Sequence, residues 1–296
     1  IGYPDGATVT KSYDDLNRLT LVEDYSQFEY SVDSLLQTST YSNGVVTTFD
    51  HDQRHRPVSI AAEKGGMSLL HLQYDYDNAG NILQLSATVQ DPVTHLLEMT
   101  SEFFSYDASD RLISASNGYG SVSFSYDAVG NRIQKLLNGN PETYTYLPHD
   151  KLATAGEWSF TYDGNGNTLS KISSSDEWLY QYDGADRLTE VKRDSQIVGA
   201  YTYNGNGQRI KKTEWNPDSQ QYETTIYLYS QGNVHFEKNL ATGLDALYIY
   251  GPTGRIAKKV GEEVVYYHCD HLGSTRLLTD AAGNPLTTVQ YFPFGR

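Results

Sequence analysis

Four adjacent side chains, His268, Cys269, Asp270 and His271, form the densest run of groups able to bind a metal or move a proton. A structural zinc site draws ligands from convergent elements, whereas successive residues of a strand or tight turn point apart. The run therefore reads as a turn: Asp270 and Gly273 fix the backbone, and His271 packs or hydrogen-bonds. "DGNGN", Asp163 to Asn167, opens like a calcium loop but lacks a glycine at the sixth position and a glutamate at the twelfth. "NGNG" at Asn204–Gly207 is a turn on the same grounds. Gly-rich runs lie between strands rather than before helices, so no phosphate loop is present. The eight histidines are scattered. His51 and His55 fall in "FDHDQRHRP" and read as surface groups. No catalytic residue, metal or cofactor is expected.

Asp and Arg recur together as Asp107/Arg111, Asp127/Arg132 and Asp183/Arg187, a pairing that could brace hairpin ends. Each wet pair would contribute about 0–1 kcal/mol, so turn geometry should matter more. The chain has 25 Tyr against 9 Phe and 3 Trp. Tyrosine suits a half-buried sheet face with one wet side. Its rings could stack on sugars, but recurring Tyr in strand ladders favours cross-strand packing.

These residues repeat. An aromatic–Asp step begins units at Tyr13–Asp14, Tyr76–Asp77, Tyr106–Asp107, Tyr126–Asp127, Tyr162–Asp163 and Tyr182–Asp183. A Tyr–Asn step begins one at Tyr203, and a degenerate copy is read at Phe49. Spacings cluster near about 20 residues or its multiples, the mark of a repeat architecture. Alternating runs such as "GSVSFSY" (Gly120–Tyr126) and "EWLYQY" (Glu177–Tyr182) separate the units and read as half-buried strands. Sustained helical periodicity is absent. Each unit then reads as a corner. The aromatic ends a strand, and Asp accepts from backbone N–H groups two residues on. A Gly, Asn or Asp takes a left-handed backbone, and Arg or Asn with an aliphatic residue starts the next strand. A type I turn closed by a G1 bulge fits.

Two variants occur. Tyr13, Tyr106 and Tyr182 begin Y-D-x-x-[ND]-R-L. Tyr76, Tyr126, Tyr162 and Tyr203 begin Y-[DN]-x-x-G-[NQ]-x-[IL], with Gly80, Gly130, Gly166 and Gly207 at the left-handed position. The aliphatic residue comes one place later in the second. With a side-chain period of two, that extra place would flip the aliphatic side chain to the other face unless a bulge absorbs it, so the variants should form different hairpin ends.

The chain has 296 residues, 38% of them hydrophobic, and a formal net charge of −15; its mean hydropathy is −0.55. Such acidity gives no basis for gripping nucleic acid or anionic membrane; it serves solubility or a basic partner. No apolar run approaches a membrane span. The single Cys269 excludes an intrachain disulfide. Ile1 is not an initiator and opens no signal-like segment, which suggests a piece of a longer chain.

The units resemble the YD repeats of the Rhs family, which includes bacterial polymorphic toxins, C components of Tc toxins, wall-associated contact-inhibition proteins and teneurin-like shells. The closing segment, Tyr266 to Arg296, resembles the first part of the Rhs repeat-associated core. It carries Asp270, His271, Gly273, Ser274 and Arg276 of "DHLGSTR", Asp280 and Gly283 of "LTDAAG", and Pro293 and Gly295 of "YFPFG". The resemblance covers essentially the whole chain. It implies an all-β spiral array of antiparallel hairpins forming part of a hollow shell, with the array at 1–245 and the core beginning at 246–296 in the same sheet. It further implies a non-enzymatic scaffold that encloses a C-terminal toxin, with that cargo and the rest of the shell as partners, in a secreted or cell-surface bacterial setting. Self-cleavage in the parent would lie downstream, so no catalytic residue is carried over; Asp270 reads as structural. The alternative is a surface adhesion or carbohydrate-binding module.

Overall fold

The structure is a computed structural model describing residues 2–4, 6–118 and 120–293. Its described residues form 27 β-strands and one 3-10 turn, Pro148–Asp150, and the strands belong to one antiparallel sheet. Strand after strand pairs with its sequence neighbour, as in Val45–His51 with Pro57–Lys64, and Met67–Tyr76 with Ile82–Gln90. The alternation in sequence explains this. Leu70, Leu72 and Tyr74 are buried on one face of Met67–Tyr76, while Gln73 and Asp75, on either side of Tyr74, are exposed.

The chain divides into two compact units, 1–119 with 246–296, and 120–245. In the first, N-terminal hairpins and C-terminal strands pack face to face. Phe28, Ile60, Leu70 and Leu72 on one side, and Ile256 and Leu277 on the other, are buried. Burying each such side chain contributes about 1.5–3 kcal/mol. Ala246 to Ile249 are buried four in succession, so the strand Asp245–Gly251 is covered on both faces. Gly251 is required there. A Cβ would lie 2.7 Å from the Ile256 side chain and 2.9 Å from the Phe28 ring.

The second unit buries fewer residues deeply, among them Val122, Phe124, Tyr144 and Tyr227. Aromatic rings there are covered by long cationic side chains. Arg132 lies over Phe124 and Tyr144, Lys171 over Trp158, and Arg209 over Tyr201 and Tyr227.

Hairpin ends are of two kinds. Short turns place two central residues at positive φ, as at Gly65–Gly66, Asn138–Gly139 and Asp194–Ser195. This is the primed-turn geometry that matches strand twist. The longer ends are the Tyr–Asp corners.

Candidate functional site

At Tyr106 the Asp107 N–H donates to the Arg111 carbonyl at 2.9 Å, and the Asp110 N–H to the Asp107 carbonyl at 3.1 Å. Asp107 Oδ1 accepts from the N–H groups of Ser109 and Arg111, and Oδ2 from Arg111 Nε. Asp110 takes the left-handed position at φ 58°. The strand register shifts at Tyr106, which faces Leu112. The same closure recurs from Asp14, Asp77, Asp127, Asp163 and Asp183, and from Asn204. Gly80, Gly130, Gly166 and Gly207 have positive φ. At Gly166 the requirement is the backbone alone, since a Cβ would make only an ordinary 3.6 Å contact with Lys151 Cε.

These corners hold carboxylates ionised. Asp183 is lowered to about 2, first by the Arg187 hydrogen bond, against a raising effect of burial, and then by the Ala185 and Arg187 N–H groups. Ion pairs close the corner at Asp14–Arg18, Asp107–Arg111 and Asp183–Arg187. At Asp127 the residue in that role is Asn131, whose amide donates to Oδ2 at 3.1 Å. Arg132, one place further, is spent on its two rings.

Four of the corner tyrosines are tied down. The hydroxyls of Tyr76, Tyr106, Tyr162 and Tyr203 donate to the carbonyls of Pro57, Ile82, Leu152 and Leu188, at 2.7 to 3.0 Å. Each bond reaches a neighbouring strand, so each ring is wedged between hairpins.

Three expectations are corrected. The two corner variants have the same register: Tyr13, Tyr106 and Tyr182 face residues six on, and so do Tyr76, Tyr126, Tyr162 and Tyr203. The later aliphatic residue lies on the other face; Leu83, Ile133 and Leu169 are each 41% exposed. Second, the degenerate copy starts at His51, not Phe49. Asp52 N–H bonds the Arg56 carbonyl, His55 is left-handed, and Phe49 and Asp50 stay within the strand. Third, the brace at Asp127 is Asn131 rather than the expected Arg132.

Further copies escaped the motif. At Tyr30, Ser31 replaces the aspartate and Ser34 takes the left-handed position. The core signature holds two more. Asp270 N–H bonds the Ser274 carbonyl with Gly273 left-handed, and Asp280 N–H bonds the Asn284 carbonyl with Gly283 left-handed. Cys269 and Thr279 stand where tyrosine would. The turn expected at Asp270 and Gly273 is therefore present, and the missing Tyr hides only its kinship with the other corners.

The core signature seals the first unit. His268 is fully buried, with Thr279 Oγ1 2.9 Å from Nε2 and Thr47 Oγ1 3.4 Å from Nδ1. Burial lowers its pKa to about 3. Cys269 is pushed up to about 11 by burial, and His271 sets its ring 4.7 Å from Tyr74. Asp270 accepts from Leu272 and Ser274 N–H groups. The four side chains thus take four separate roles. Arg276 is buried with its terminal nitrogens 3.9 Å from Glu102 and 3.9 Å from Asp270. Pro293 lies in a turn at the end of the described chain; Gly295 lies outside the described residues.

Tyr–Asp hairpins thus run from the first strands into the signature that covers them. The teneurin YD-shell family model matches residues 3–296. The chain belongs to the teneurin YD-shell family. It is 25% identical to the tRNA nuclease WapA of Bacillus subtilis, over 96% of this chain and 12% of that protein. It is 24% identical to double-stranded DNA deaminase toxin A of Burkholderia cenocepacia, over 89% of this chain and 22% of that one. Toxin subunit YenC1 of Yersinia entomophaga is 21% identical, over 86% and 33%. Among solved structures, the Photorhabdus luminescens Tc holotoxin pore superposes with a TM-score of 0.82 at 16% identity, over 99% of this chain and 17% of that one. TcdB2-TccC3 gives 0.72 at 17%, over 97% and 17%. The YD-shell chain therefore shares the Tc shell fold and spans only a fraction of each relative.

Proposed function

We propose that this chain is a section of shell wall, a non-enzymatic scaffold that encloses a toxin polypeptide encoded after it in the same parent chain. The observation that carries the reading is the YD-shell match over residues 3–296. The side chains agree: the corner aspartates close turns, and His268, Asp270 and Arg276 pack within the first unit. In this reading the Tyr–Asp corner residues and the core signature are structural, 1–245 is the hairpin array, and 246–296 begins the core. The partners are the remaining shell and the cargo, in a bacterial secreted or cell-surface setting.

A glycan-binding surface is the competing reading. It needs free tyrosine faces and hydroxyls, and the hydroxyls of Tyr76, Tyr106, Tyr162 and Tyr203 are committed to backbone carbonyls. A glycan array is expected to give no hits; a specific hit abolished by Tyr→Ala on one face would favour adhesion. The scaffold reading is tested by co-expressing the complete shell with its native downstream segment. That segment should resist protease, and full accessibility would refute enclosure.

A further inference from the structure

The two corner variants close identically yet alternate along the chain. From Tyr76 onward the left-handed residue and its successor run Gly80–Asn81, Asp110–Arg111, Gly130–Asn131, Asp150–Lys151, Gly166–Asn167, Asp186–Arg187 and Gly207–Gln208, where Asp150 ends the 3-10 turn after Tyr146–Leu147 rather than a Tyr–Asp corner. The alternation follows from what each corner offers the next. Asn81 Nδ2 donates to Asp110 Oδ1, Asn131 Nδ2 to Asp150 Oδ1, and Asn167 Nδ2 to Asp186 Oδ1, each at 2.8 Å. The same amide holds its own turn carboxylate. Going the other way, Arg187 Nη1 donates to the Asn204 carbonyl at 3.0 Å, and its guanidinium lies 5.2 Å from the Tyr203 ring centre. Lys151 lies against the Tyr162 ring and over Gly166. Arg56, in an earlier corner, treats Asp77 and Tyr76 likewise and passes 4.0 Å from a Cβ at Gly80. At Gly166 the φ of 95° is one that side chains rarely adopt.

We propose that the corner edge is a recognition surface on which the two turn types are complementary partners. A Gly–Asn corner accepts a neighbour with aspartate at the left-handed position. An Asp–Arg corner reaches the next corner through its cation, as Arg187 reaches the Asn204 carbonyl and the Tyr203 ring. A left-handed aspartate therefore specifies a Gly–Asn corner as its neighbour, and helps fix the order of hairpins in the wall. The partner class is a neighbouring hairpin with aspartate at the left-handed position of its corner.

Backbone conformation alone makes the opposite prediction at Asp186. Its φ is 57°, where glycine is at least as comfortable, so Asp186→Gly should be harmless if the residue serves only the turn. If it is the acceptor for Asn165 and Asn167, losing it should open both corners. The test is native-state amide exchange on the full chain. It follows the Asp163 and Asp183 N–H groups, which bond across their corners. Asp186→Gly is expected to lower their protection roughly tenfold. Asp186→Asn keeps an oxygen acceptor and should retain most of it. Asn17→Gly, at the left-handed residue of an earlier corner, should change nothing in its own corner. Adding Asn165→Ala and Asn167→Ala to Asp186→Gly should cost less than adding them to the native chain. Equal protection in Asp186→Gly and the native chain, or strict additivity, would overturn the proposal.

Discussion

A tyrosine hydroxyl bonded to a neighbouring strand's carbonyl is the smallest unit of this wall, and it can be removed alone. Tyr203→Phe deletes the bond to Leu188 and keeps the ring. It should cost about 0.5–1.5 kcal/mol by denaturant titration. His268 supplies a pH signature. Its folded pKa is near 3 and its unfolded value about 6.5, so the unfolded chain binds more protons between them. Stability should therefore fall as pH drops through that window, by up to about 1.4 kcal/mol per pH unit. His268→Gln should show a shallower fall between about pH 7 and pH 5; an unchanged slope would remove His268 as its source. Asp183 acts at lower pH. Its depressed pKa gives stability that is complete above about 4 and lost as pH falls toward 2.

At the scale of the element, the hairpin register decides which aliphatic residues matter. Ile133 is 41% exposed while Phe124, on the paired strand, is buried. Ile133→Thr should shift stability by less than about 0.5 kcal/mol. Phe124→Ala should cost about 3 kcal/mol or more. A large loss from Ile133→Thr would contradict the register. The strands themselves were legible, because alternation and Gly/Asn/Asp clusters reflect local physics. The corner closure was legible where Tyr and Asp stood together. It was misread at Phe49 because two Asp residues, Asp50 and Asp52, competed for one role and only pairing across the strands decides. The shared register of the two variants was also hidden, since a sequence shows where an aliphatic residue falls but not which face is covered.

For the whole molecule, the seal between the core signature and the N-terminal hairpins was not legible at all. Nothing local announces that Arg276 will meet Glu102 or that His268 will meet Thr47, because each pair joins segments far apart in sequence. Burial raises the Glu102 pKa and Arg276 opposes the rise, so removing the cation leaves a buried acid without its counter-charge. Arg276→Met should cost about 3–5 kcal/mol, and Glu102→Gln with Arg276→Met should cost less than the single change. Denaturation of the three variants checks this; additive losses would mean that the two side chains act independently. The central claim concerns what such a sealed wall encloses. The most direct measurement is limited proteolysis of the complete parent chain, followed by mass analysis of the segment after the core. The account predicts that this segment stays intact while the shell is folded and is degraded once the shell is unfolded. Degradation of the segment inside a folded shell would contradict it.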